Sequence, residues 1–131
     1  MDKALMQSAK DNLKNTHAVY SNFKVSAAIR LKDGTIINGV NVENASYGLS
    51  NCAERSALFA AYSQGYRKDD IVEMALTTEQ DKIITPCGAC RQVMSELIPA
   101  NTPIVMADRN GKVQTVKNLE LLPFAFTEND L

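Results

Sequence analysis

The chain has 131 residues, of which 45% are hydrophobic and 22% charged, and its net charge is −1. This composition fits one globular domain over residues 1–131 with a core of ordinary size, and it excludes a disordered or fibrous chain. No apolar run approaches the roughly 18 residues that span a bilayer, and no signal-peptide segment follows the first residues, so we expect a cytoplasmic protein.

The balance of charges argues against polymeric nucleic acid as a partner. The 14 basic and 15 acidic residues form no basic run, and the densest basic pair, Arg67-Lys68, is followed directly by two aspartates. Binding of long nucleic acid normally requires a concentrated basic surface. The sequence therefore favours a small, nearly neutral substrate.

Hydrophobic periodicity and turn signals predict the elements in chain order. Leu5, Ala9 and Leu13 recur at four-residue spacing, as in an amphipathic helix. Asp33-Gly34 and Asn110-Gly111 are hairpin signals. The predicted elements are a helix over 2–15, strands over 25–31 and 35–42, a helix over 52–64, a strand over 71–77, a helix over 87–97, strands over 104–107 and 113–116, and a helical turn over 118–122.

Two of the predicted helices, over 52–64 and 87–97, lie between strands, which implies crossover connections and a partly parallel sheet. Gly39 indicates a bulge in its strand or a close approach of another backbone. Gly65 is a plausible end for the helix before it. Residues 123–126 are more apolar than a frayed, solvent-exposed tail would be.

All three cysteines fall in two short stretches, and their odd number argues against a closed disulfide framework. Cys87 and Cys90 are three residues apart, so at a helix start their Cβ atoms are about 5–6 Å apart and both sulfurs can reach one ion. Cys52 precedes the other helix. Helix N-termini favour the thiolate form. The pattern predicts one zinc ion per chain, bound by Cys52, Cys87 and Cys90.

Three protein ligands leave one tetrahedral position open, as in catalytic zinc sites. Water in that position is acidified and becomes a nucleophile near neutral pH. Three thiolates make the site negative, and Arg55, which follows Cys52 by one helical turn, can offset this charge by donating hydrogen bonds to sulfur. Glu54 then has its best role beside the water, taking its proton and delivering it to the substrate.

Simpler interpretations stay open at this point. A lone Cys-x-x-Cys is also a redox motif or half of a zinc finger. His17 could serve as a fourth ligand, which would make the site a non-catalytic, structural zinc module. The combination of Pro-Cys-x-x-Cys with an upstream ligand-x-Glu is more specific, because it is the signature of zinc deaminases.

Five ordered motifs carry a wider resemblance. They are Tyr20-Ser21-Asn22-Phe23-Lys24-Val25, Asn41-Val42-Glu43-Asn44-Ala45-Ser46-Tyr47-Gly48, Cys52-Ala53-Glu54-Arg55, Pro86-Cys87-Gly88-Ala89-Cys90-Arg91-Gln92, and Leu121-Leu122-Pro123 followed by an aromatic residue. Over nearly its whole length the chain resembles the cytidine deaminases of the short, free-nucleoside type. Cysteine as the first ligand distinguishes this branch from the deoxycytidylate, guanine and tRNA-adenosine deaminases.

The resemblance implies a three-layer α/β/α sandwich around a five-stranded mixed sheet, and hydrolytic deamination of cytidine and deoxycytidine in pyrimidine salvage. Glu54 would protonate N3 of cytosine as water attacks C4, and would then help ammonia to leave. Asn41 and Glu43 would bind the ribose hydroxyls, although by themselves they are ordinary turn residues. Phe23 would pack on the nucleoside, although a core position beside the first strand would explain it equally well.

The resemblance also implies a homotetramer with shared active sites. Ala45 and Tyr47 match positions that line a neighbouring subunit's pocket, and Phe126 matches a tail aromatic that stacks on the base in a neighbour's site. Phe124 is close enough in sequence to compete for this role. A deaminase of another cytosine nucleoside, such as blasticidin S, shares the zinc motifs and is the alternative enzyme.

Two departures from the family pattern adjoin the Phe23 segment. Val19 stands where relatives often have proline, and Ser26 stands where they often have glycine. Both concern the shape of that pocket wall more than the chemistry.

Overall fold

The computed structural model describes residues 3–131. None of the helices in this range is long and apolar enough to cross a membrane. The helices and strands of this range are α1 (Lys3–Asp11), β1 (Val25–Leu31), β2 (Ile36–Val40), α2 (Ala53–Ser63), β3 (Ile71–Thr78), α3 (Gly88–Leu97), β4 (Pro103–Ala107) and β5 (Val113–Lys117), with short 3₁₀ turns at Asn12–Asn15, Tyr47–Leu49, Lys68–Asp70, Asn118–Leu121 and Glu128–Asp130.

The predicted order of elements is confirmed, but two boundaries were wrong. The helix predicted over 2–15 ends at Asp11 and continues as the 3₁₀ turn Asn12–Asn15, and residue 2 lies outside the described residues. Asparagine side chains compete with helical backbone bonds, and here Asn15 bonds Asn12 instead. The strand predicted over 35–42 is shorter, Ile36–Val40, since the chain beyond it turns to bond a neighbouring loop.

The five strands form one mixed sheet in the order β2-β1-β3-β4-β5, within residues 3–131. β3 and β4 are parallel, as the crossover through α3 requires, and the other neighbours are antiparallel. The hairpin signals also hold, because Gly34 and Gly111 both adopt positive φ at the turns before β2 and β5.

Helices cover both faces of this sheet, which makes the predicted three-layer sandwich. On one face Leu5, Met6 and Ala9 of α1 pack against small residues of β1, β3 and β4. On the other face α2 and α3 pack on a larger apolar cluster that includes Ile29, Met74, Leu76, Ile104 and Met106. The N-termini of α2 and α3 therefore lie on the same side of the sheet.

Gly39 on β2 lets α2 approach the sheet closely. A Cβ atom at this position would lie 2.3 Å from the backbone nitrogen of Ala57 and 2.5 Å from the carbonyl oxygen of Ala53. The second of the two interpretations of Gly39, a close backbone approach, is thus correct. This contact fixes the first turn of α2, and with it the residues that precede the helix.

Candidate active site

The N-termini of α2 and α3 bring the three cysteines together. Cys52 immediately precedes α2, Cys87 immediately precedes α3, and Cys90 lies in the first turn of α3. The three sulfur atoms all lie within 4.8 Å of one another, and those of Cys52 and Cys87 are 3.7 Å apart. In the described part of the chain, no fourth histidine, cysteine or acidic residue joins this group.

The donor set of this cluster suits zinc. The pKa of Cys52 falls to about 5, chiefly through the hydrogen bond from the Cys90 thiol and further through Arg55. The same hydrogen bond and burial raise the pKa of Cys90. Without a metal ion, Cys52 therefore ionises while Cys90 stays protonated. A bound divalent cation such as zinc stabilises all three thiols as thiolates. Cys52, Cys87 and Cys90 therefore fit a zinc ion with three protein ligands.

Arg55 lies beside the cluster as the spacing predicted. Its Nη2 donates a hydrogen bond to the Cys52 sulfur at 3.3 Å. This bond is the main cause that raises the pKa of the guanidinium, so Arg55 keeps its positive charge against the thiolates. A guanidinium in this position is suited to offset the negative charge of three thiolates.

Glu54 is the second residue of α2, and its side chain is only 4% exposed. Burial raises the pKa of this carboxyl to about 7, and the negative charge of Cys52 adds to the effect. A carboxyl with a pKa near neutrality can both accept and return a proton at physiological pH. Glu54 therefore has the properties of a general acid–base group next to the sulfur cluster.

A cavity of about 350 Å³ opens in front of these residues. Its size is that of a pocket for a small ligand. Cys52, Glu54 and Cys87 are among the residues that line it. Its wall includes three more residues that the sequence had indicated, Phe23, Asn41 and Glu43, and the remaining lining is mostly apolar.

Asn41 holds the loop that carries Phe23. Its Oδ1 accepts a hydrogen bond from the Val25 N–H at 2.9 Å, and its Nδ2 donates to the Phe23 carbonyl oxygen at 2.7 Å. An amide is suited to this pairing because it offers both a donor and an acceptor. Asn41 thus both lines the cavity and fixes its Phe23 wall.

Glu43 is bound by the same loop. Its Oε1 accepts from the backbone N–H groups of Tyr20, at 3.0 Å, and Ser21, at 3.1 Å, and its Oε2 accepts from the Ser21 hydroxyl. The Ser21 hydroxyl is the main cause that lowers the pKa of Glu43, so this carboxylate is ionised at neutral pH. The sequence assigned no role to Ser21, and the one available signal was its place in the Tyr-Ser-Asn-Phe motif.

The remaining candidates lie outside this cavity in the single chain. Ala45 and Tyr47 are exposed, and so is Phe126, at 58%. Their roles toward a neighbouring subunit stay predictions. His17 is bonded through its backbone to Asn41 and Glu43 and does not belong to the sulfur cluster.

Comparison with known proteins gives consistent matches. Residues 1–106 match the model of the cytidine and deoxycytidylate deaminase zinc-binding region. A cytidine deaminase of Halalkalibacterium halodurans is 48% identical over 127 residues, which cover 97% of this chain and 95% of the relative. A crystal structure of cytidine deaminase from Burkholderia pseudomallei superposes with a TM-score of 0.92 at 47% identity, covering 96% of this chain and 100% of that one.

A blasticidin-S deaminase of Bacillus cereus is less similar. It is 32% identical over 111 residues, covering 80% of this chain and 78% of the relative. Because the identity and the coverage are lower, blasticidin S is less well supported as a substrate than cytidine.

Proposed function

The chain belongs to the cytidine and deoxycytidylate deaminase family, and on that premise we propose that it is a zinc-dependent deaminase of free cytidine and deoxycytidine. Water adds to C4 of the cytosine ring and the 4-amino group leaves as ammonia, so the products are uridine or deoxyuridine. Buried Glu54, which lies beside the three cysteines and lines a cavity of about 350 Å³, is the observation that carries this proposal.

Zinc held by Cys52, Cys87 and Cys90, at one ion per chain, would supply an acidified water molecule. Glu54 takes a proton from this water and delivers it to N3 of the ring, which makes C4 more electrophilic. The same carboxyl then carries the remaining proton of the added water, from the hydroxyl group on C4, to the amino group, which leaves as ammonia as the C–N bond breaks and the C4 carbonyl forms. The pKa of about 7 suits Glu54 to both transfers.

The sugar and the base are bound by the cavity wall. Asn41 and Glu43 bind the ribose hydroxyls. The carboxylate accepts hydrogen bonds from them, and the amide can both donate and accept hydrogen bonds. Oε1 of Glu43 already accepts two backbone N–H bonds, whereas Oε2 accepts one bond and keeps a further lone pair for a sugar hydroxyl. Phe23 packs against the nucleoside from its position on the loop.

We further propose that the protein works as a homotetramer in the cytoplasm, in pyrimidine salvage. Three free cysteines that serve as metal ligands suit a reducing compartment. Ala45 and Tyr47 of one chain would line the pocket of another, and Phe126 would stack on the base there. The exposure of Tyr47 and Phe126 supports this assignment, since large apolar side chains at the surface mark interaction sites.

The direct test is the loss of cytidine absorbance with the purified protein, before and after treatment with a chelator. We expect turnover that the chelator abolishes and that added zinc restores, with one zinc per chain by elemental analysis. Turnover that survives complete removal of zinc would contradict the proposal. Blasticidin S assayed in parallel identifies the preferred substrate.

A further inference from the structure

We propose that Ser21 is a positioning residue for the sugar of the substrate, because it holds Glu43 and Phe23 in fixed places on one wall of the cavity. The inference rests on the proposed role of Glu43 as the ligand of a sugar hydroxyl. Ser21 itself lines the cavity.

Ser21 binds Glu43 at two points and the Phe23 backbone at a third. Its N–H donates to Glu43 Oε1 at 3.1 Å, and its hydroxyl donates to Glu43 Oε2. The same hydroxyl oxygen accepts the Phe23 N–H at 3.0 Å. One short side chain therefore connects the carboxylate and the aromatic residue that face the substrate.

Glu43 depends on these bonds for its orientation. It lies outside the regular elements, between β2 and α2, where its own backbone N–H bonds the His17 carbonyl oxygen and the adjacent Val42 forms isolated bridges. A glutamate side chain has several rotatable bonds and points freely unless its oxygens are held. Oε1 is held by the N–H groups of Tyr20 and Ser21, and Oε2 is held by the Ser21 hydroxyl alone, so the hydroxyl fixes the direction of the remaining Oε2 lone pair.

The loop is shaped to make this contact. Asn22, the residue after Ser21, has φ of +57°, a left-handed conformation that asparagine tolerates better than most residues. This bend lets the Ser21 hydroxyl bond Glu43 while Phe23 lines the cavity. The ring of Tyr20 also packs edge-to-face on that of Tyr47, with centroids 6.1 Å apart. This is a second contact, besides the bonds to Glu43, between the loop and the segment that follows β2.

The geometry separates sugar binding from the chemical step. Ser21 has no hydrogen bond to Cys52, Glu54 or Arg55 among the described residues, so its removal should leave the reacting end of the cavity unchanged. Loss of a hydrogen bond to a charged group weakens binding by about tenfold. We therefore expect Ser21→Ala to raise KM for cytidine about tenfold and to change kcat by less than about twofold.

The test compares cytidine with 2′,3′-dideoxycytidine, which lacks the two hydroxyls and is measured by its inhibition constant against cytidine. Wild type, Ser21→Ala, Glu43→Gln and the double variant are assayed. We expect Ser21→Ala to weaken cytidine binding more than binding of the dideoxy compound, and to have a smaller effect in the Glu43→Gln background than in the wild type. The serine acts on the sugar through the glutamate, whereas Asn41 also holds Phe23. Ser8→Ala is the matched control, because it also removes one long-range hydroxyl bond, to Asn38, on the far side of the sheet.

Three results separate the possible failures. Equal weakening of both compounds by Ser21→Ala, or full additivity with Glu43→Gln, would overturn the positioning role and leave Ser21 a structural residue. Equal weakening of both compounds by Glu43→Gln would overturn the sugar role of Glu43, and the Ser21 inference with it. No turnover of cytidine by the zinc-loaded wild type would overturn the proposed function itself.

Discussion

Glu54 is placed where burial and a neighbouring thiolate oppose its charge, yet where it can still exchange a proton. Its pKa of about 7 follows first from burial and then from Cys52. Glu43, by contrast, is held ionised by hydrogen bonds from Ser21 and Tyr20. The two carboxyls of one cavity therefore have different environments, which suits one to proton transfer and the other to binding.

Replacement of Glu54 by glutamine keeps the shape of the side chain and removes its proton-carrying group. We expect Glu54→Gln to retain one zinc per chain and to lose turnover by at least about 100-fold, because general acid–base catalysis contributes that much or more. Elemental analysis and steady-state kinetics measure the two effects. Unchanged activity with zinc in place would contradict the mechanism.

Replacement of Arg55 by glutamine removes the positive charge beside Cys52. The lost hydrogen bond to a charged sulfur leaves the site more negative, so we expect kcat to fall about tenfold or more with zinc retained. Arg67→Gln is the matched control, because Arg67 bonds backbone carbonyls of Tyr62 and Tyr66 on the surface. Full activity of Arg55→Gln at neutral pH would refute the charge argument.

At the scale of elements, the contact between β2 and α2 places Cys52. Gly39 allows this contact because any side chain there would overlap the backbone of α2. Backbone atoms of a helix cannot move aside as a flexible side chain can, so the whole helix must shift. The position of the first zinc ligand thus depends on a residue of the sheet that is remote from the chemistry.

We expect Gly39→Ala to lower the free energy of unfolding by about 1–3 kcal/mol or more and to weaken zinc binding. Gly48→Ala is the control, since a Cβ at Gly48 meets nothing within 4 Å and its φ is not positive, and its effect should stay within about 0.5 kcal/mol. Denaturant unfolding and zinc titration measure both variants. If Gly39→Ala and Gly48→Ala had the same free energy of unfolding, α2 would be able to move away from β2 without loss of stability.

The C-terminal tail contains a residue in a strained backbone conformation. Phe124 has φ of +57° while its ring is fully exposed. The left-handed region costs an L-residue roughly 1 kcal/mol, a cost that glycine avoids. Arg91 bonds the Leu121 carbonyl and Gln92 bonds the Phe126 carbonyl, so α3 holds the tail on both sides of this residue.

We expect Phe124→Gly to be more stable than Phe124→Ala by about 1 kcal/mol. Both variants lack the ring, so any contribution of the ring to association cancels in the comparison. Denaturant unfolding of the two variants under identical conditions gives the difference. A Phe124→Ala variant that equals or exceeds Phe124→Gly would show that the tail relaxes out of this conformation.

At the scale of the whole molecule, several large apolar side chains remain on the surface of a single chain. Tyr47 is 71% and Leu49 74% exposed, and Val19 and Tyr20 are exposed on the adjacent loop. A surface of this kind is unusual for a protein that stays monomeric. It supports the proposed homotetramer, in which such residues would be covered.

We expect the native mass to be about four times the 14.4 kDa of one chain. If the sites are shared, mixed oligomers of Glu54→Gln and Phe126→Ala chains should be more active than either parent, because some sites then combine an intact Glu54 with an intact neighbouring Phe126. Native mass spectrometry and the assay of refolded mixtures test this. Oligomers that form but regain no activity would show that each chain works alone.

The order of the elements and the grouping of the cysteines could be predicted from the sequence. Hydrophobic periodicity and glycine turns are local properties, so the two hairpins, the three helices and the crossover through α3 could be predicted. The Cys-x-x-Cys spacing on a helix start likewise fixes two sulfurs by local geometry alone. The place of Arg55 beside Cys52 followed from their spacing of one helical turn, and the role of Glu54 followed from the open position of a three-ligand zinc site.

Only the tertiary structure decided how the loop over residues 20–25 and the segment over 41–43 form one wall. These contacts join residues about twenty positions apart through side-chain bonds that leave no periodic pattern in the sequence. Ser21 was missed for this reason, and the strand before Asn41 was predicted too long for the same reason. Burial also had to be seen in three dimensions, because it is the main cause of the raised pKa of Glu54 and depends on residues distant in the chain.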